Sequence, residues 1–213
     1  MGSVTVSDPA ARAMPAHRSP FEGHKPGERP APGGAIGVRL RAETLAGLLQ
    51  IHTWTSGADA LRMALAGVPG IGTVPQRTGS VARVAAGLLL CTGPCEYQLL
   101  TSPGTDLLAS VRQHVPADVG AVTDLGHARC RIRIEGPRCR DTLSKLFALD
   151  LRASAWPVGE LRLTGHHHVP CAALRLDRDR FDLLVFSTYA FDQLGTVLDA
   201  AQEYGVALEL SSA

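Results

Sequence analysis

The sequence predicts an α+β fold built from two like halves. Short segments alternate apolar and polar residues at the strand period, others repeat apolar residues at helical spacing, and the order strand, helix, strand, strand, helix, strand occurs twice. The closing parts of the two rounds compare directly, EYQLLTSPGTDLLASVRQH with FDLLVFSTYAFDQLGTVLDA. Each half therefore reads as a ferredoxin-like split β-α-β unit, in which two helices cover one face of an antiparallel sheet.

Residues 1–35 form a Pro/Gly-rich arm with prolines at 9, 15, 20, 26, 30 and 32 and no apolar periodicity. Such a composition buries too little surface to order itself, so the arm is expected to be flexible alone and to order against a partner, with Arg18 and Phe21 as its anchor. The first half, 36–126, reads as a strand near 50–55, a helix near 57–66 and a Gly/Pro-rich connector through Gly79. Strands over 81–91 and 96–101, a helix over 105–114 and a strand over 120–125 complete it. The second half, 127–213, begins with the clearest unit in the chain. Cys130, Ile132 and Ile134 fall on one face of a strand over 128–135 and Arg129, Arg131 and Arg133 on the other. Gly136-Pro137 breaks that strand, and Leu143, Leu146 and Phe147 recur at helical spacing over 137–147. Strand segments over 159–163 and 171–176, a strand over 181–186, a helix over 189–203 and a last strand over 206–210 follow. The halves are expected to share a core or an edge as one compact domain.

At 213 residues and 45% hydrophobic content the chain is long enough to bury a sizeable core. A formal net charge of +1 argues against non-specific binding to nucleic acid or a membrane surface. Lys25 and Lys145 are the only lysines, so the cationic surface is arginine, which suits bidentate contacts to carboxylates. No apolar run reaches the ~18 residues of a membrane span, and the N-terminus lacks the apolar stretch of a secretory signal, which points to the cytoplasm. The five cysteines, an odd number without regular spacing, fit a reducing compartment rather than a disulfide framework.

The candidate chemical motifs are thin. Cys91 and Cys95 have no second pair of zinc-ligand spacing, and simple packing is expected for them. In the run His166-His167-His168, only His166 and His168 share a strand face, with Cys171 beyond, and no acidic neighbour orients them. Asp124 and His127 resemble a carboxylate orienting an imidazole, but Ser144, Ser187 and Thr188 lack a nucleophile-elbow context, and Asp124 is expected to turn the chain between the halves. Gly67, Gly70 and Gly72 follow a helix instead of opening one, the wrong order for a dinucleotide loop. No catalytic, cofactor-binding or metal residue is expected. The expected partner surface comprises Arg18, Phe21, Arg129, Arg131, Arg133 and Tyr189, with a solvated strand face as the alternative for the arginines.

Several pieces together carry a resemblance: Gly93-Pro94 with Glu96-Tyr97 and Leu99-Leu100, VTDLGHARCRIRIEGP, the helix ending in LFALDL, Trp156-Pro157-Val158-Gly159 before a strand, FDLLVFSTYAFDQL, and AAQEYGV. Over about residues 36–210 the chain resembles the gamma subunit family of heterotetrameric sarcosine oxidase, which is related to the aminomethyltransferase (T-protein) fold, a folate-binding-domain fold. The resemblance implies a non-catalytic subunit that assembles with alpha, beta and delta subunits. FAD, FMN, NAD, tetrahydrofolate and zinc would then lie in those other subunits, and the complex would convert sarcosine to glycine and pass the one-carbon unit to tetrahydrofolate. Gly126 stands where the family has Ser, and Ser187-Thr188 where it has Arg-Ser, so a related N-methyl amine oxidase or dehydrogenase stays open as the parent complex. A free-standing folate-binding aminomethyltransferase-like protein is the alternative from another class. An RNA-binding module would want exposed aromatics on its central strands, and only Tyr97 and Phe181 are near such positions.

Overall fold

The computed structural model describes residues 18–54, 57–166 and 168–211. Its strands form a seven-stranded and a five-stranded sheet. In spatial order the larger consists of β1 (Gly27–Arg29), β12 (Val206–Ser211), β2 (Val38–Thr44), β8 (Arg129–Glu135), β11 (Arg180–Phe186), β10 (Val169–Asp177) and β9 (Glu160–His166). Only the β12–β2 pair is parallel. The smaller sheet runs β4 (Val81–Val84), β5 (Gly87–Gly93), β6 (Glu96–Thr101), β3 (Leu48–His52) and β7 (Ala121–Asp124), antiparallel throughout.

Strands such as β8 alternate and present one apolar face, whereas the continuous buried runs of β10 and β11 are apolar on both, and three cores result. Helices α3 (Cys139–Leu146) and α4 (Ala190–Ala201) cover one face of the larger sheet, burying Leu143, Leu194 and Val197 against Leu40, Ile132, Ile134 and Leu183. Helices α1 (Ala58–Gly67) and α2 (Leu108–His114) cover the smaller sheet in the same way through Leu61, Leu65 and Val111. The remaining faces meet each other through Leu48, Leu90 and Leu100 on one side and Leu161, Leu174 and Leu184 on the other. The layers are therefore helix, sheet, sheet, helix. Backbone bonds also tie the sheets: Leu161 N donates to Gly79 O at 2.8 Å and Val81 N to Gly159 O at 2.9 Å.

Most expected elements are present, with shifted ends. The strand expected over 81–91 is a hairpin, β4 and β5, because the chain turns at Ala85-Ala86 into Gly87. There φ is +143° and a Cβ would lie 2.0 Å from Leu100 O, so only glycine fits. The break after β8 is Gly136, at φ +117° and pressed against Gly37 O, and Pro137 lies before the first residue of α3 rather than within its first turn. Two strands escaped the sequence reading. In β2, Val38, Leu40 and Ala42 are buried and alternate with Arg39 and Arg41. This strand belongs to the 36–126 segment but lies between β8 and β12, so the sequence halves do not map one to one onto the sheets.

The arm also departs from expectation. Residues 1–17 lie outside the described residues, but residues 18–35 are packed on the chain's own body. Phe21 is 1% exposed in the core beneath α4, so burial of its ring supplies the order that was assigned to a partner. His24 bonds Phe191 O through Nε2 at 2.8 Å, with the two rings 4.2 Å apart, and β1 pairs with β12. Among the described residues no helix is long and apolar enough to cross a membrane.

Candidate functional site

The two sheets diverge where β8 begins, and two clefts open there. One, of about 580 Å³, is lined by Arg18, Pro20, Thr44, His127, Arg129 and Ser187 among others. The other, of about 480 Å³, lies between the sheets and is lined by Gln50, Gln98, Leu163, Leu184, Phe186 and Arg129 among others. Arg129 borders both.

The register of β8 against β11 decides what each arginine does. Arg129 is opposite Phe186, and its guanidinium lies over that ring, 3.6 Å from the centroid. Arg133 is opposite Asp182 and grips it with two N–H donors, Nε to Oδ1 at 2.8 Å and Nη2 to Oδ2 at 3.1 Å. Arg131 bonds Glu43 of β2 and lies 3.6 Å from Asp182 Oδ2. Asp182 is fully buried, and its bond raises the pKa of Arg133. Burial lowers that of Arg129, and no carboxylate among the described residues comes within 4.0 Å of it. The arginine stripe is thus not one surface: Arg131 and Arg133 are paired with the chain's own acids, and Arg129 borders the two clefts described above.

The other candidate residues fall as follows. Arg18 is highly exposed and 3.6 Å from Glu22. Tyr189 is 50% exposed at the start of α4, beside the equally exposed Phe191. Phe21 is in the core, which removes it from the exposed anchor expected of it. Asp124 Oδ1 accepts from Gly126 N at 2.8 Å, the turn role read for it. Ser187 Oγ donates to the backbone carbonyl of His127 at 2.8 Å, and Ser144 Oγ to that of Asp141 at 2.7 Å, so neither hydroxyl is arranged as a nucleophile beside an imidazole. Cys91 is buried and its thiol donates to Gly93 O at 3.3 Å, whereas Cys95 is half-buried in the turn between β5 and β6.

His166 ends β9, buried beside Phe147 with ring centroids 5.6 Å apart, and His168 turns the chain at φ +66° into β10. The two do not share a strand face, and His167 lies outside the described residues. Burial pushes the Cys171 thiol up to about 11, and that of Cys139 likewise, as befits packed apolar groups. Among the described residues no cluster of three or more His, Cys, Asp or Glu side chains could hold a metal ion. Sequence reasoning missed Phe186 and Asp182. The signal for Asp182 was its place as the only acid in the apolar run of RFDLLVF, a strand antiparallel to one striped with arginine.

No protein-family model matches the chain. The sarcosine oxidase subunit gamma of Corynebacterium sp. (strain U-96) is 26% identical over 145 residues, which are 68% of this chain and 70% of that protein. A chain of the solved heterotetrameric sarcosine oxidase from Corynebacterium sp. U-96, in complex with pyrrole 2-carboxylate, superposes with a TM-score of 0.73 at 23% identity, over 88% of this chain and 96% of that one. The chain resembles the sarcosine oxidase gamma subunits. Beside that gamma-subunit likeness, the aminomethyltransferase T of the glycine cleavage system from Bartonella henselae has a TM-score of 0.60 at 12% identity, covering 82% of this chain and 48% of that one. This second likeness is one of fold alone.

Proposed function

We propose that this chain is the gamma subunit of a heterotetrameric, flavin-dependent sarcosine oxidase and serves in assembly without catalysing. The observation that carries the reading is agreement of sequence and fold on one relative: 26% identity over 145 residues, and a superposition that takes in 96% of the matched oxidase chain. In this reading alpha, beta and delta subunits are the partners, and FAD, FMN, NAD, tetrahydrofolate and zinc belong to them. The complex works in the cytoplasm, demethylating sarcosine to glycine and delivering the one-carbon unit to tetrahydrofolate.

On this reading the partner surface centres on exposed apolar side chains rather than on the arginine stripe. Tyr189 and Phe191, each 50% exposed, with Trp54 at 74% and Met63 at 77%, supply the exposed apolar area that an interface buries. Arg18 adds charge at the rim. The scaffold itself is read as a duplication of split β-α-β units. The strand order β7-β3-β6-β5 of the smaller sheet matches β12-β8-β11-β10 of the larger once β2, which separates β12 from β8, is set aside. On this reading the units correspond to 36–126 and 127–213, packed as one domain with β2 lent to the second sheet.

Co-expression with the neighbouring oxidase subunits tests the proposal. The chain is expected to co-purify in one-to-one proportion with the flavoprotein subunits, and its omission is expected to abolish a stable, active complex. Full activity of the remaining subunits without it would overturn the assembly role. The fold likeness to aminomethyltransferase T favours one alternative, a free-standing folate-binding protein. Saturable binding of tetrahydrofolate to the isolated chain would select that alternative.

A further inference from the structure

We propose that the junction of the two clefts is a binding site for a small carboxylate, held by Arg129. The inference does not rest on the subunit reading. Three arginines share one face of β8, and the chain supplies carboxylates for two of them, Arg131 and Arg133. Arg129 has an aromatic ring in place of an acid, and nothing among the described residues accepts from its N–H groups. A half-buried guanidinium with no counter-ion among the described residues is a costly arrangement, and burial lowers the pKa of this group. Stacking on Phe186 holds the group in place while leaving its in-plane donors for a planar acceptor, the geometry that a carboxylate matches with two bonds.

The surroundings narrow the ligand. No residue lining the about 580 Å³ cleft is acidic; Arg18 borders it too, but its charge is offset by Glu22 at 3.6 Å, so Arg129 is the group that favours an anion there. In the about 480 Å³ cleft the one acid, Glu96, accepts from Thr92 Oγ1 at 2.7 Å. Gln50 and Gln98, paired across β3 and β6, offer amide donors and acceptors on one wall, and Leu125, Leu163 and Leu184 line others. Both volumes fall within the range of roughly 300–1,000 Å³ typical of small-molecule sites. The ligand class is therefore a carboxylate bearing a short apolar or aromatic body and an amide.

Hippurate, which has a carboxylate, an amide and a phenyl ring, is the probe. Titrated calorimetrically into the full chain, it is expected to bind saturably at one site, with its methyl ester weaker by about tenfold or more. Arg129→Gln is expected to lose about tenfold or more of the hippurate affinity, with partial recovery in Arg129→Lys, a charged but unforked group. Gln98→Leu should weaken binding by a smaller factor, and Arg39→Ala, remote from the clefts, should leave it unchanged. Equal binding of acid and ester, no binding of either, or an Arg129→Gln variant that binds as the parent does would each overturn the proposal. If Arg129→Gln fails to fold, as judged by circular dichroism, Phe186→Leu replaces it, with several-fold weaker binding expected and unchanged binding counting against the site. Repeating the titration on the chain within its co-purified complex separates a free carboxylate from an acidic side chain of a partner. Retained binding supports the small-molecule site, and loss of binding in the complex overturns it.

Discussion

The face of the larger sheet that looks toward the smaller one has two halves that obey the same strand alternation and carry opposite chemistry. Over β9, β10 and β11, Leu161, Leu174, Leu176 and Leu184 pack against Leu48, Leu90 and Leu100. Over β8, β2 and β12 the equivalent positions are Arg131, Arg133, Glu43, Arg41 and Glu209, joined by Asp182. The difference is coverage. Where the second sheet lies on top, burial of apolar surface favours leucine; beyond its edge, water reaches the face and charges pair across strands. Period two reveals which residues share a face and is silent about what lies above that face. Arg129 sits on the boundary between the two regimes, partly covered and without an acidic partner among the described residues, where the clefts converge.

Substitutions on either side of that boundary sharpen the contrast. Asp182→Ala has the largest expected effect, because it leaves Arg131 and Arg133 facing each other with their shared, 1%-exposed carboxylate gone: a loss of about 3–5 kcal/mol, read by urea unfolding. A loss below about 1 kcal/mol would mean that the open half is not held by its charges. On the covered half, Leu174→Ala removes a side chain that is 0% exposed between the sheets and is expected to cost about 2–5 kcal/mol, with a matching drop in Tm. A smaller drop would indicate that the sheets slide together and fill the space. Arg41→Ala is the mildest. Its partner Glu209 is 2.9 Å away, yet both side chains are about half-exposed or more, so the change should stay within about 1 kcal/mol and shrink further in high salt.

Much of this architecture was legible in the sequence, and the failures have physical reasons. β8 was readable because Cys130, Ile132 and Ile134 alternate cleanly with arginines and Gly136 ends the run at a φ that other residues avoid. β2 carries the same alternation in Val38, Leu40 and Ala42, but a proline- and glycine-rich run leads into it and blurred its start. β1 had no signal, since Gly27, Glu28 and Arg29 are all exposed and the strand is held by backbone bonds to β12 and an exposed ion pair from Glu28 to Arg39. The arm's composition describes most of its residues well and misses the single ring of Phe21, whose burial outweighs them locally. At the site, the residue types were visible and their roles were not. Arg129, Arg131 and Arg133 are equivalent by period and become different only through register with Phe186, Glu43 and Asp182, residues far from them in sequence.

The slot occupied by β12 bears on how the molecule is made. That strand lies between β1 and β2, and its Glu209 meets Arg41 across 168 positions of sequence. While the polypeptide is still emerging from the ribosome, β2 has a bare flank and β1 lacks its partner, so this margin of the sheet closes only once β12 has emerged. Such late, non-local pairing slows folding and leaves an adhesive edge in the nascent chain. Truncation before Val206 should therefore yield a product that aggregates during biosynthesis, even though most of its hydrophobic interior is already encoded.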